Sequence, residues 1–277
     1  MNIYYNKMCR MAISIGNVNM TALIDGVITM ARDLSSQHEL NKQEGPGSWT
    51  HDDGWGIAYL HEGKWHITRS TTTIYDDPSV NELRAKKAEI AIIHVRKKMG
   101  SEKAIHNTHP FFHERAKRKP VMFCHNGFID EEIMHDEMYR PVGKTDSEKL
   151  FFSLLSDLKR DNLVKAIRKN FKRYEKLTGT NIILATEDQS VIAIRKNKFP
   201  QYYKMQLAQT EDTIIISSEA LQNMPYVTWQ PLEQGDVIQI KNKKLKLKIH
   251  AKKLPESKSV QKAAQHIYNS PPLEVQT

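Results

Sequence analysis

Residues 8–16, Met-Cys-Arg-Met-Ala-Ile-Ser-Ile-Gly, combine a cysteine near the start of the chain with a mainly apolar run. Residues 11–16 predict a β-strand, and Cys9 stands directly before it. A cysteine reacts as a thiolate and therefore needs a base. A cysteine at the N-terminus carries that base in its own α-amine, whose ordinary pKa is roughly 7.7 to 8.0. Cys9 is therefore a candidate N-terminal nucleophile at the head of a strand.

This chemistry requires Cys9 to be the first residue of the working protein. Two routes lead there. Either translation begins at Met8 and the initiator is clipped, or residues 1–8 are a short propeptide that is cut off. With residues 1–8 attached, we expect an inactive precursor.

A series of short motifs follows Cys9 along the chain. Each is weak alone, since His-Asn-Gly occurs by chance in many proteins, but their combination in this order is a strong signal. The motifs are Asp53-Gly54-Trp55-Gly56-Ile57-Ala58, His94-Val95-Arg96, Asn107-Thr108-His109-Pro110-Phe111, His125-Asn126-Gly127, Thr145-Asp146-Ser147-Glu148, Ser217-Ser218-Glu219-Ala220-Leu221 and Trp229-Gln230-Pro231-Leu232.

In this order the motifs resemble the class II glutamine amidotransferases, N-terminal-nucleophile hydrolases that open the amide of glutamine. The resemblance runs from Met8 to about Ile240. The stand-alone branch of the family, which hydrolyses γ-glutamyl compounds, matches best because Asp-Gly-Trp-Gly followed by a strand is typical of that branch. The resemblance implies an α+β fold, the four-layer αββα sandwich, whereas the sequence itself indicates only a mixed α/β pattern.

The resemblance also implies the roles of five residues. Cys9 attacks the δ-carbonyl of a γ-glutamyl group, and Asn126 with the backbone N–H of Gly127 stabilises the oxyanion. Arg96 and Asp146 clamp the α-carboxylate and α-ammonium. The alternatives are a plain Asn-Gly turn, a surface arginine and an Asp that caps a helix.

The substrate and the partners stay open at this stage. Lys97-Lys98-Met99 departs from the family at the wall of the pocket, so a γ-glutamyl peptide or conjugate stands beside glutamine as substrate. One alternative is a glutaminase subunit that delivers ammonia to a separate synthase chain, and a partner peptidase subunit is also open. Another is a binding module in which Cys9 is never freed. No synthase domain fits after residue 250, so an ammonia acceptor is expected to be another chain.

Length and composition predict one domain over residues 9–254, followed by a polar, mobile tail over residues 255–277. The 277 residues show no composition shift and no internal repeat, and their 12 Gly and 11 Pro are too few for a low-complexity chain. The pattern predicts helices over residues 20–40, 146–158 and 163–177. It predicts strands over residues 11–16, 54–60, 64–69, 89–95, 120–125, 181–185, 191–195, 202–207, 213–217 and 237–249.

The net charge of +9 raises the question of nucleic-acid binding. Much of the excess lies in residues 159–176 and 241–253. In residues 244–249 lysines alternate with aliphatic residues, which is how an edge strand is kept soluble. Aromatic residues for base stacking are sparse there, so the sequence argues against a nucleic-acid partner.

Cysteines and histidines also limit the function. Two cysteines, Cys9 and Cys124, argue against a disulfide scaffold, and Cys124 is predicted to be a buried apolar residue. His106, His109 and His113 suggest a metal site, but Pro110 interrupts their spacing and no metal motif accompanies them. We expect no metal and no cofactor. With no secretory signal and no apolar run of about 20 residues, a soluble, cytoplasmic protein without a membrane partner is expected.

Overall fold

Two antiparallel β-sheets form the centre of the fold. The computed structural model describes residues 8–98, 100–158, 162–195 and 198–255. Its strands are β1 (Arg10–Gly16), β2 (Trp55–His61), β3 (Lys64–Ser70), β4 (Ile90–Val95), β5 (Phe111–Arg115), β6 (Arg118–Ile129), β7 (Leu177–Ala185), β8 (Gln189–Ile194), β9 (Met205–Gln209), β10 (Thr213–Ser217), β11 (Trp229–Leu232), β12 (Val237–Lys241) and β13 (Lys246–Ile249). Its helices are α1 (Met20–Ala31), α2 (Val80–Arg84), α3 (Asp146–Asp157) and α4 (Leu163–Asn170).

The first sheet has seven strands in the order β11-β9-β10-β1-β4-β2-β3, and the second has six in the order β13-β12-β8-β7-β6-β5. Strand β1 is central in the first sheet, where it pairs with both β10 and β4. Strand β6 pairs with β7 along most of its length in the second sheet. The candidate residues Cys9 and Asn126 therefore belong to different sheets.

Four layers result from the packing of these elements. The facing sides of the two sheets enclose an apolar core that contains Met11, Ile92, Cys124 and Ile183, all fully buried. Helices α1 and α2 cover the outer face of the first sheet, and α3 and α4 cover that of the second. Strands buried on both faces need continuous apolar runs, which explains the sequence of β1 and β4. The predicted α+β αββα sandwich is confirmed.

Helix α1 is shorter than predicted, since it ends at Ala31 rather than near residue 40. Asp33 adopts the left-handed conformation with φ of 57°. The N–H of Asp33 bonds the carbonyl of Met30, and the N–H of Leu34 bonds that of Thr29. This is a Schellman motif, which closes a helix and turns the chain away. The apolar periodicity of the sequence continues past Ala31, but the helical conformation of the backbone ends there.

Two other predicted boundaries are also wrong. Helix α4 ends at Asn170, and Leu177, predicted as its last residue, begins β7 instead. Tyr202 and Tyr203, predicted to lie in a strand, form a turn before β9 and are fully buried. In both places the conformation of Leu177, Tyr202 and Tyr203 is set by their burial in the folded protein and not by the apolar pattern of the neighbouring sequence.

Residues 237–249, predicted as a strand, form two strands, β12 and β13, separated by a 3₁₀ helix over Asn242–Lys244. The lysine-rich end of this segment is an edge strand, as predicted. Strand β13 lies at the end of the second sheet, beside β12. It begins at Lys246 because Leu245 is left-handed, with φ of 47°. Lys246 and Lys248 are exposed, which protects the open edge from pairing with another chain.

The predictions for residues 1–8 and for the tail over residues 255–277 lie outside the described residues, apart from Met8 and Pro255. Within the described part of the chain, no helix combines the length and the apolar character that a membrane span requires.

Candidate active site

Cys9 lies where the two sheets meet. It precedes β1, and its backbone N–H donates a hydrogen bond of 3.0 Å to Oδ1 of Asn126 on β6. Its thiol lies 3.9 Å from the carbonyl oxygen of Lys97. Burial raises the pKa of the Cys9 thiol to about 11, and the Lys97 contact and the charge of Arg96 only partly oppose it. With Met8 attached, the thiol is therefore neutral near pH 7.

Met8, the residue before Cys9, is fully buried. Its carbonyl accepts a hydrogen bond of 2.7 Å from the hydroxyl of Tyr202, and its sulfur contacts the hydroxyl of Tyr203. The nitrogen of Cys9 is then a peptide nitrogen, which is not a base. With Met8 attached, Cys9 therefore has no free α-amine.

Asn126 and Gly127 lie inside the long strand β6, so the alternative of a plain turn is wrong. The Asn126 side chain uses Oδ1 for Cys9, while its Nδ2 is buried and has no hydrogen-bond partner among the described residues. A Cβ atom on Gly127 would lie 2.0 Å from the carbonyl oxygen of Gly179. Only glycine permits this close approach of β6 to β7.

Arg96 follows β4 and is 4% exposed, so it is not a surface arginine. Its guanidinium donates to Oγ of Ser101 at 2.6 Å and to the carbonyls of Glu102 and Asp53 at 3.1 and 3.4 Å. A guanidinium has five N–H groups, so three bonds leave donors for an incoming carboxylate. The arginine is thereby held in one orientation before a ligand arrives.

Asp146 is the first residue of α3, but Thr145 is the residue that caps the helix. Oγ1 of Thr145 accepts the hydrogen bond from the Glu148 N–H at 3.2 Å. The Asp146 carboxylate instead accepts a bond of 3.0 Å from the N–H of Ile129. Burial raises the pKa of Asp146 to about 6, and bonds from Ile129 and Ser147 only partly oppose it. The capping alternative for Asp146 is therefore wrong.

A single cavity of about 360 Å³ brings these residues together. Cys9, Arg96, Gly127 and Asp146 all line it, whereas Asn126 does not line it and contacts the lining residue Cys9 through its Oδ1. The other lining residues are Lys97, Lys98, Gly100, Ser101, Glu102, Asn107, His109, His125, Phe128, Lys144, Thr145 and Ser147. The segment Lys97-Lys98-Met99 was expected to depart from the family pattern at the wall of the pocket. Lys97 and Lys98 do lie in that wall, and Met99 lies outside the described residues.

Sequence reasoning gave no role to Asn107, which links two walls of the cavity. Its Nδ2 donates to the Glu102 carbonyl and its Oδ1 accepts from the Lys144 N–H, both at 3.2 Å. Glu148 acts in the same region, accepting the N–H groups of Val142 and Gly143 at 3.0 and 2.7 Å. Asn107 stands in the motif Asn107-Thr108-His109-Pro110-Phe111, but its bond to Lys144 joins residues 37 positions apart, which motif spacing does not predict.

Three buried histidines lie beside the cavity. Burial lowers the pKa of both His94 and His125 to about 3 and that of His109 well below its ordinary value. Nε2 of the neutral His94 lies 3.2 Å from the carbonyl of His125, which joins β4 to β6. Within the described residues, no group of three His, Cys, Asp or Glu side chains is placed to hold a metal ion.

Comparison with known families assigns the chain. Residues 20–199 match the family model of class-II glutamine amidotransferases. The chain belongs to this family. The resemblance to this family is thereby confirmed; the matched range includes Arg96, Asn126 and Asp146, whereas Cys9 lies before its first residue.

Two proteins are similar to this chain over part of their length. The Escherichia coli protein named "Putative glutamine amidotransferase YafJ" is 38% identical over 125 residues, which are 42% of this chain and 46% of that protein. The uncharacterized protein MJ1515 of Methanocaldococcus jannaschii is 32% identical over 113 residues, which are 40% of this chain and 32% of that protein. The matched regions thus span less than half of each relative.

A solved structure supports the fold. The glutamine phosphoribosylpyrophosphate amidotransferase of B. subtilis, complexed with ADP and GMP, aligns with a TM-score of 0.63 at 15% identity. The alignment covers 87% of this chain and 48% of that one. At this identity the likeness concerns the fold alone, and it agrees with the four layers described above.

Proposed function

We propose that this protein hydrolyses the γ-glutamyl amide bond of glutamine, or of a γ-glutamyl peptide or conjugate, through a thioester on Cys9. The reaction begins once Cys9 is the N-terminal residue. The observation that carries the proposal is the hydrogen bond between the Cys9 N–H and Asn126 Oδ1, because it holds Cys9 against an amide whose Nδ2 is buried and has no partner among the described residues.

In the first step the Cys9 sulfur adds to the δ-carbonyl carbon of the substrate. The thiol proton passes to the α-amine, which later gives a proton to the leaving amine as the C–N bond breaks. Water then adds to the thioester and releases glutamate and the thiol. Both steps pass through a tetrahedral oxyanion, to which Asn126 Nδ2 and the Gly127 N–H donate in this proposal.

The substrate's amino-acid end is held by the opposite charges of the cavity. The Arg96 fork suits an α-carboxylate, and the carboxylate of Asp146 suits an α-ammonium. Support comes from their shared cavity with Cys9 and from the bonds that fix both side chains. A free amino-acid end is then required, and N-acetylated or α-esterified glutamine is a poor substrate.

The test compares two forms of the chain, one beginning at Cys9 and one retaining residues 1–8, each verified by intact mass. We expect glutamate release from glutamine or γ-glutamyl compounds by the first form only, and none from its Cys9→Ala variant. Cys124→Ala is the matched control, because Cys124 lies in the core between the sheets. Full activity from a chain that retains Met8 would contradict the mechanism. Turnover that appears only after a synthase chain is added would favour ammonia delivery instead.

A further inference from the structure

The wall of the cavity carries positive charge that a glutamine molecule does not use. Its ionisable lining residues are Arg96, Lys97, Lys98, Lys144, Glu102 and Asp146. In the proposed function, Arg96 and Asp146 are taken up by the zwitterionic end of the substrate. Three lysines and one glutamate are left.

Two of these four already have partners. Nζ of Lys97 donates to the carbonyl of Thr50 at 2.5 Å and lies 5.0 Å from the centre of the Trp49 ring. The Glu102 carboxylate lies 3.0 Å from Nε2 of His106 and is turned to it. The Nζ atoms of Lys98 and Lys144, by contrast, donate no hydrogen bond to the described residues, and Lys98 forms only a long ion pair of 4.0 Å with Asp53. These two ammonium groups therefore remain available to a ligand in the cavity.

The backbones of both lysines are fixed, whereas their ammonium groups are not. The N–H of Lys98 donates to Oδ2 of Asp53 at 2.9 Å, and its Nζ lies 4.0 Å from the other oxygen of that carboxylate. The N–H of Lys144 donates to Asn107 at 3.2 Å, and its exposed side chain forms no ion pair with the described residues. Asn107 also bonds the Glu102 carbonyl, so one buried amide ties together the two segments that carry these lysines.

We propose that Lys98 and Lys144 select substrates whose leaving amine carries a carboxylate, that is, γ-glutamyl amino acids or peptides. This inference rests on the proposed function. Ammonia, the leaving group of glutamine, has no negative charge with which these ammonium groups could pair. An amino acid released from the γ-glutamyl carbonyl carries a carboxylate a few bonds beyond the broken C–N bond. Water supplies the oxygen to glutamate and the proton to the released amine.

The experiment uses the chain that begins at Cys9 and two substrates of nearly equal shape, γ-glutamyl-glycine and γ-glutamyl-glycinamide. The readout is the ratio of their kcat/KM values at low salt. We expect γ-glutamyl-glycine to be preferred roughly three- to tenfold, as for one anion facing two partly exposed cations. The preference should lie in KM and should fall as ionic strength rises.

The double variant Lys98→Gln/Lys144→Gln should bring this ratio close to one. Lys149→Gln is the matched control, because Lys149 is an exposed lysine of α3 that does not line the cavity. An unchanged ratio in the double variant, or equal turnover of the two substrates by the unaltered enzyme, would overturn the selection by charge and leave the proposed hydrolysis intact. Absence of turnover of every γ-glutamyl compound would instead refute the proposed function.

Discussion

At the scale of single residues, Asn126 separates two tasks between the two atoms of one amide. Its Oδ1 accepts the N–H of Cys9 and so fixes the backbone of that residue. Its Nδ2 is buried and unpartnered among the described residues, and in the proposed function it is the donor to the oxyanion. A buried donor without a partner costs free energy in the resting protein, which is a recognised feature of sites built to stabilise a transition state.

A substitution at Asn126 tests this division. Asn126→Asp keeps an acceptor for Cys9 but replaces the Nδ2 donor by an oxygen. We expect kcat for γ-glutamyl hydrolysis to fall about a hundred- to a thousandfold, the usual result of losing one oxyanion donor, with a small change in KM. Asn81→Asp introduces the same charge at an exposed position of α2 and serves as the control. Steady-state kinetics with near-normal kcat in Asn126→Asp would exclude the donor role.

At the scale of elements, the sequence predicted the strands better than the ends of the helices. Residues 213–217 coincide with β10, and residues 11–16 fall within β1. Both segments are short, mainly apolar runs, which is the pattern of a strand whose two faces are buried. The short helix α2 and strand β5 were not predicted. Neither carries a periodic pattern long enough to stand out from a loop.

The candidate site was predictable only in part. Cys9, Arg96 and Asp146 were found because their residue types and order resemble a family. Asn107 and Lys144 were not, because the hydrogen bond between them joins residues 37 positions apart in the sequence. Motif spacing gives no information on which loop reaches which carbonyl, and a charged side chain beside a cavity looks in sequence like any surface lysine.

The beginning of α3 allows a prediction that joins an element to the site. Thr145 caps the helix whose first residue is Asp146, and Glu148 holds the preceding loop. Thr145→Ala should lower the free energy of unfolding by about 1 kcal/mol, the typical cost of a lost cap. It should also raise KM for γ-glutamyl substrates, since Asp146 loses its fixed position. Chemical denaturation and kinetics measure the two effects.

Thr145→Ser is the matched variant, because serine supplies the same oxygen. It should restore both the stability and the KM. If Thr145→Ala loses stability while its KM stays normal, the cap is structural and Asp146 does not depend on it.

At the scale of the whole molecule, four buried histidines stay neutral near pH 7, and one of them, His94 on β4, joins the two sheets through the carbonyl of His125 on β6. Burial lowers the pKa of His51 and His109 well below the ordinary value and that of His94 and His125 to about 3. His109 packs with its ring centre 4.2 Å from that of His94, and neither of its nitrogens has a partner among the described residues. Protonation of any of these rings would place an uncompensated charge in the core.

This burial makes the stability of the fold depend on pH. Below about pH 6.5 the unfolded chain binds protons at these four histidines, whereas the folded chain binds them only at lower pH, near pH 3 at His94 and His125. The unfolded state binds more protons, so the free energy of unfolding falls as the pH falls through this range. Each histidine contributes about 1.4 kcal/mol per pH unit. Asp146, whose pKa is raised to about 6, binds its proton in the folded chain before the unfolded chain does. Its protonation therefore favours folding as the pH falls and offsets the contribution of about one of the four histidines.

Urea denaturation between about pH 7.5 and pH 5 should therefore show a steep loss of stability towards acid, with a slope approaching roughly 4 kcal/mol per pH unit below pH 6. His109→Phe fills the same space between His94 and Phe111 without titrating, so the slope should decrease by about 1.4 kcal/mol per pH unit. Its stability near pH 7.5 should be equal or higher, because two unpartnered nitrogens are removed. His135→Gln, outside the buried cluster, is the control. A slope unchanged by His109→Phe would mean that His109 binds its proton equally well in the folded and the unfolded chain.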